Sequence, residues 1–180
     1  MQIQKYLPAF LLILLGVSSR ILPHPANFAP IAAIALFSGI YLPKKFAIML
    51  PMAAMFLSDL IIGSYLWPVM ISVYFSFAIT GMIGLAIQKD KKISTVVGGA
   101  LLASIIFFII TNWAVWAFGT MYTHNFNGLV QSYIMALPFF KNTLLGDLFY
   151  TAVLVGVMEA IQYYNLNKNT ASNFEARITK

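Results

Sequence analysis

The chain has 180 residues, 61% of them hydrophobic and only 9% charged, with a mean hydropathy of +0.84. Soluble domains carry charge on about a quarter of their residues, so this composition excludes an ordinary soluble domain and indicates an integral membrane protein built as one bundle. The net charge of +6 comes from short basic clusters between apolar runs, with no basic stripe, which argues against nucleic-acid binding; the absence of cysteine excludes disulfides, thiolate metal sites and cysteine nucleophiles.

A membrane-crossing helix needs roughly 20 apolar residues at about 1.5 Å rise each. Six segments meet or approach that length. The first covers residues 5–19. Its basic start followed by an apolar run resembles a signal peptide, but Gly16, Ser18 and Ser19 lead directly into Arg20 and Pro23 with no convincing cleavage site, so it reads as a retained helix.

The stretch RILPHPANFAPIAAIALFSG, Arg20 to Gly39, sets a cation, a histidine and three prolines between two apolar segments. The second helix is expected over residues 28–42, with Asn27 as its N-cap and Pro30 in its first turn. Ala29, Ala33, Ala35 and Gly39 give two small-xxx-small pairs, a surface for close helix packing within the bundle or against a partner helix.

Segments three, four and five are expected over residues 46–62, 67–88 and 95–118, with Gly63 ending the third and Lys89, Asp90, Lys91 and Lys92 forming a charged turn after the fourth. Between Gly119 and Asn142, Phe126, Leu129, Val130, Tyr133 and Leu137 follow helical spacing. This predicts a short interfacial helix ending near Pro138, placed to act as a lid or as a static cover. The sixth segment is expected over residues 143–164 with Asn142 as N-cap. Residues 1–165 thus form the membrane domain and residues 166–180 a polar cytoplasmic tail, disordered or frayed.

With six spans, Lys5, Lys44, Lys45, Lys89, Lys91, Lys92, Lys168, Arg177 and Lys180 fall on one side, and only Arg20 and Lys141 on the other. The positive-inside rule then puts both termini in the cytoplasm, in a multi-pass protein of a cell's inner membrane. Tryptophans 67, 113 and 116 and Tyr122 fall near the outer interface, and tyrosines 41, 163 and 164 near the inner one, as belt residues do.

This orientation brings Arg20, His24, Asn27, Asp59, Asn112 and Asp147 into the outer third. Ionisable groups inside a membrane cost about 2.5–3.5 kcal/mol at the helix centre on insertion scales, so a convergent set implies a binding cavity or a salt-bridge cluster. Asp147 lies early in its helix, where the macrodipole favours an anion, while Asp59 lies near a helix C-terminus, where the dipole opposes it. Asp59 therefore calls for a cation, Arg20 first and Lys141 second. His24, in the rigid Pro-His-Pro segment, is a candidate ligand contact, and Trp113, Trp116, Tyr133, Phe139 and Phe140 are candidate walls of an apolar pocket. A zinc site made from His24, His124 and an aspartate lacks ligand spacing, and no metal or cofactor is expected.

The motifs RILPHPANFAPIAAIALFSG, FLSDLIIG, TNWAVWAFG and ALPFFKNTLLGDLFY resemble a family of small bacterial integral membrane proteins with no known substrate. More coarsely, the chain is similar to the substrate-binding S components of energy-coupling factor transporters, which take up vitamins. That resemblance implies six helices, cytoplasmic termini and an outer-face ligand site closed by the loops between helices one and two, three and four, and five and six. It also implies a coupling subunit and an ATPase pair as partners, since the chain has no phosphate-binding loop of its own. The first helix departs from the alanine-xxx-alanine docking pattern of S components; the nearest match, Ala29 to Ala33, is on the second.

The expected function is therefore membrane binding and uptake of a vitamin-like small molecule, not catalysis. The expected substrate-binding residues are Arg20, His24, Asn27, Asp59, Asn112, Trp113, Trp116, Tyr133 and Asp147. The alternatives are a membrane enzyme on a lipid or isoprenoid substrate, and a structural membrane protein whose outer polar cluster staples helices. Against the enzyme, the aspartates lack clustering for two-metal chemistry and no nucleophile sits beside a base.

Overall fold

A computed structural model describes the backbone of residues 3–178 and the side chains of residues 7–168. Six helices, α1 (Ile3–Ile21), α2 (Ile31–Tyr41), α3 (Lys44–Ile62), α4 (Trp67–Ala86), α5 (Ile93–Phe118) and α6 (Phe126–Ile178), account for nearly all of it, with a 3₁₀ turn at Ile87–Lys89 extending α4. No strand occurs among the described residues. The helices α3, α4 with its turn, α5 and α6 are long and apolar enough to cross a membrane; the part of α1 with described side chains, Leu7–Ile21, and α2 are shorter apolar helices.

The shortest helix is the centre of the bundle. IAAIALFSGI has no polar face beyond one serine, and a helix that is apolar all round must be enclosed. Every residue from Ile31 to Ile40 is buried, with α3, α4, α5 and α6 packed around it.

Two consequences follow from its length and its small residues. Eleven residues rise only about 16 Å, roughly half of a bilayer core, so the helix reaches only partway along its longer neighbours. Its glycine lies directly on the backbone of α4, where a Cβ on Gly39 would collide with Gly81 and Gly84, one on Gly84 with the Leu36 carbonyl, and one on Gly81 with the Ala47 carbonyl. The small-residue surface is thus occupied by the chain's own helices, so a partner helix does not have this face to land on.

Residues ahead of α2 make a turn rather than a cap. Phe28 N–H donates to the Pro25 carbonyl at 2.9 Å, and Asn27 takes φ 64°, the left-handed position that a type II turn reserves for glycine or asparagine. The helix begins at Ile31, with Pro30 at the N-cap, which corrects the assignment of Asn27 as capping residue. This segment is strapped to α6 by Asn142 Nδ2, which donates to the Ala26 carbonyl at 3.0 Å, and by Phe28, whose ring lies 5.5 Å from Tyr150. Gly146 makes room for it, since a Cβ there would sit 3.2 Å from Phe28 Cα.

The largest departure from the sequence reading is α6. The predicted interfacial helix and the predicted sixth span form one continuous helix that carries Pro138 inside it, and Asn142 is an interior residue rather than a cap. The first part of α6 runs antiparallel along α5: Tyr133 hydroxyl donates to the Ile109 carbonyl at 2.8 Å, and the Phe140 ring lies tilted against Phe108 at 4.6 Å between centroids. Proline ends helices in water but is tolerated in membrane helices, where neighbouring side chains and local adjustment satisfy the freed carbonyl. The helical backbone also continues to Ile178, through residues expected to be disordered or frayed.

At the far end from Arg20, Ala9 of α1, Tyr41, Phe46 and Met158 gather around Phe37 and Leu50, and Tyr41 hydroxyl donates to Glu159. Lys91 sits over the Tyr41 ring at 4.4 Å, so the basic turn after α4 shares this end. The glycine contacts yield a test: Gly84→Leu is expected to lower stability by about 1–3 kcal/mol through overpacking. Gly98→Leu, where a Cβ meets open space, is expected to leave the thermal midpoint in detergent nearly unchanged.

Candidate functional site

Most hydroxyls buried in the bundle bind their own helix. Ser76, Thr80 and Thr111 each donate to the carbonyl four residues earlier, at 2.7, 3.0 and 2.7 Å, which removes the cost of burying them without requiring a ligand. Two groups of charged residues depart from this pattern.

The first group joins three helices. Arg20 in the last turn of α1 makes an ion pair with Asp59 of α3, Nη1 to Oδ1 at 2.7 Å, with the side chains 17% and 9% exposed. The N–H bonds of Nη1 are directed to Ser58 Oγ and to the Met55 carbonyl at 3.2 Å, so Asp59 Oδ1 is held by charge rather than by a well-aligned hydrogen bond. Asp59 Oδ2 accepts from Tyr74 of α4 at 2.7 Å. Of the two cations proposed for Asp59, Arg20 is the partner; Lys141 is exposed and makes no ion pair among the described residues.

The second group is Asp147 of α6, only 3% exposed. Ser104 Oγ of α5 donates to its Oδ2 at 2.7 Å, the Ala100 carbonyl lying at 3.0 Å as an alternative acceptor. No Lys or Arg pairs with Asp147 among the described residues.

Between these groups lies a cavity of about 370 Å³. Arg20 lines it from the end of α1, His24, Asn27 and Ala29 from the α1–α2 connection, Ile31 and Ala32 from the start of α2, and Thr143 and Asp147 from α6. Met55, Ile62, Val73, Phe77 and Phe107 form its apolar walls, with Phe77 and Phe107 stacked at 5.2 Å between ring centroids. The size and the mixture of apolar walls with a few polar groups are those of a small-molecule site.

Tyr65, in the turn between α3 and α4, also lines it. Burial first, and the charge of Asp59 second, push its phenol up to about 12, Arg20 acting in the opposite direction. It is therefore a neutral donor at any physiological pH. His24 Nδ1 lies 2.7 Å from the Leu22 carbonyl, which places a proton on Nδ1 and leaves Nε2 available.

The residues expected at the site divide into four sets. Arg20, His24, Asn27 and Asp147 share the cavity, and Asp59 stands behind Arg20. Asn112, with Phe139 and Phe140, lines an adjoining recess of about 270 Å³ that shares Asn27, Val73, Phe107 and Thr143 with the cavity, and its amide donates to the Phe108 carbonyl at 2.8 Å.

Trp113 and Tyr133 do not line the cavity but an apolar groove of about 500 Å³ with Trp67 and Phe75. Trp116 lines none of these three and donates to the Thr123 carbonyl at 3.0 Å. The reason is rotational, since neighbouring helical residues point about 100° apart, and depth alone does not decide which face a residue occupies. Phe107 and Thr111, four apart on α5, lie on the inward side; Trp113 is exposed.

Sequence reasoning missed Tyr65, Tyr74, Ser58 and Ser104. Tyrosines in an apolar chain read as interface residues; the available signal was the spacing of Ser58 beside Asp59 and the isolated serine in the middle of α5. His24 and His124 do not meet: His124 Nε2 lies 3.1 Å from the Gly119 carbonyl, and no group of metal-ligating residues forms among the described residues.

Removing one partner of a buried pair leaves an uncompensated charge. Arg20→Ala is accordingly expected to destabilise the protein by about 3–5 kcal/mol, while the double variant Arg20→Met with Asp59→Leu recovers most of that loss. Thermal unfolding in one detergent checks both.

A family model described as a family of unknown function, DUF6580, matches residues 2–170. No curated protein and no solved structure matches the chain.

Proposed function

The chain belongs to the DUF6580 family, and on that premise we propose that it is a membrane substrate-binding protein that captures a vitamin-sized small molecule in the cavity between Arg20 and Asp147. The observation that carries this reading is a roomy, part-polar cavity inside an otherwise apolar helical bundle, with a buried carboxylate on its wall. Cavities that stay empty in proteins are apolar, and polar ones hold water or ligand. Lining contributed by a proline-rich connection and by several helices is also what a site that admits and releases a ligand requires.

In the fuller form of this proposal the chain crosses the inner membrane of a cell six times, with both termini cytoplasmic and the cavity facing outward. The basic residues at the end opposite the cavity support that orientation. It then works as the S components of energy-coupling factor transporters do, with a separate coupling subunit and ATPase pair. Support for that step is the chain's length, its six helices, and the position of the α1–α2 and α3–α4 connections beside the cavity. Docking then falls to a surface other than α2, which is enclosed.

The Arg20–Asp59–Tyr74 cluster fits a stapling role as well, and the two roles are compatible because the cavity begins where the cluster ends. Purification from its native host in mild detergent, followed by mass spectrometry of extracted small molecules, tests the proposal. The same non-lipid compound is expected in near-stoichiometric amount in independent preparations. Recovery of lipid alone from well-folded protein would overturn it.

A further inference from the structure

We propose that the cavity selects an organic cation, a molecule with an amine or ammonium group on an apolar, aromatic body, and that Asp147 holds the positive group. This deepens the uptake reading and rests on it.

The inference starts from unequal treatment of two buried acids. Asp59 has a cation at 2.7 Å and a phenol donor at 2.7 Å, so its charge is matched inside the protein. Asp147 is more buried and has only the Ser104 hydroxyl, on one of its two oxygens. Its other oxygen accepts no hydrogen bond among the described residues, and the side chain forms part of the cavity wall.

A buried carboxylate without a positive partner is among the more costly arrangements in an apolar medium. The groups facing the same space do not supply the missing charge. Arg20 is matched by Asp59, Asn27, Thr143 and Tyr65 are uncharged donors or acceptors, and His24 directs its Nδ1 proton to the Leu22 carbonyl rather than to Asp147. With Asp147 ionised and His24 neutral the walls carry one negative charge in excess, and a ligand bearing one positive charge completes the site.

The remaining walls suit the body of such a ligand. Phe77 and Phe107 present a stacked aromatic pair, and aromatic faces attract both flat rings and cations. A volume of about 370 Å³ lies within the range of small-molecule sites and is larger than an ammonium or metal ion alone needs.

Three probes with the same phenylethyl body distinguish this from other ligand chemistries: phenethylammonium, the neutral 2-phenylethanol and the anionic 3-phenylpropionate. Each is titrated to tens of millimolar against the purified full chain while the melting temperature is followed. Phenethylammonium alone is expected to raise the melting temperature of the wild type, by roughly 3 °C or more, and to lose that effect in Asp147→Asn. The wild-type comparison stands by itself if that variant does not fold.

Equal stabilisation by the neutral or anionic probe, or a cation effect that survives in Asp147→Asn, would overturn the charge assignment while leaving a small-molecule site in place. No stabilisation by any probe would also overturn it, because an open carboxylate in an accessible cavity must take up a small ammonium at these concentrations. The uptake reading is judged separately, by the compound that copurifies.

Discussion

An eleven-residue helix buried on every side constrains everything else in this protein. Because α2 is apolar all round, it can be stable only as the axis of the bundle, and because it is short, it ends among longer helices. Irregular backbone at such depth is tolerated only where it is covered by protein or lines a cavity. Both conditions hold here: α6 straps the turn at Pro25–Phe28, and the space beside it is the cavity. The proline-rich connection, the left-handed Asn27 and the glycine at position 146 are all consequences of bringing the chain into the bundle at that point.

The same geometry explains why two acids are found close to one end. Arg20 ends α1 and Asp59 lies one turn before the end of α3, so the two meet where both helices stop, and Tyr74 joins them from α4. The cluster fixes three helices around the mouth of the cavity without any contribution from a ligand. Asp147 reaches the cavity from the opposite wall, on a helix whose register is set by its long antiparallel contact with α5. One acid is thus used in holding the frame and the other is left facing the space that the frame encloses.

Much of this was legible in the residues. Composition set the class, Gly63 marked the end of α3 and the dipole argument identified Arg20 as the partner of Asp59, because each depends on local chemistry. What was illegible depends on rotation and on solvent. Asn112 and Trp113 lie on faces of α5 that a linear sequence does not assign, and Pro138 does not end α6. The stripe from Ala29 to Gly39 was readable as a close-packing surface, but not that α4 of the same chain fills it, since glycines 81 and 84 form their matching surface at a separation of some forty residues.

The central claim is that the cavity beside the start of α2 is a ligand site. The most direct measurement is an experimental density map of the protein purified from its native membrane without added ligand. The account predicts a compact density between Asp147 and the Phe77–Phe107 pair, within hydrogen-bonding reach of the carboxylate. A cavity closed by side chains, or filled by a lipid tail entering between helices, would contradict it.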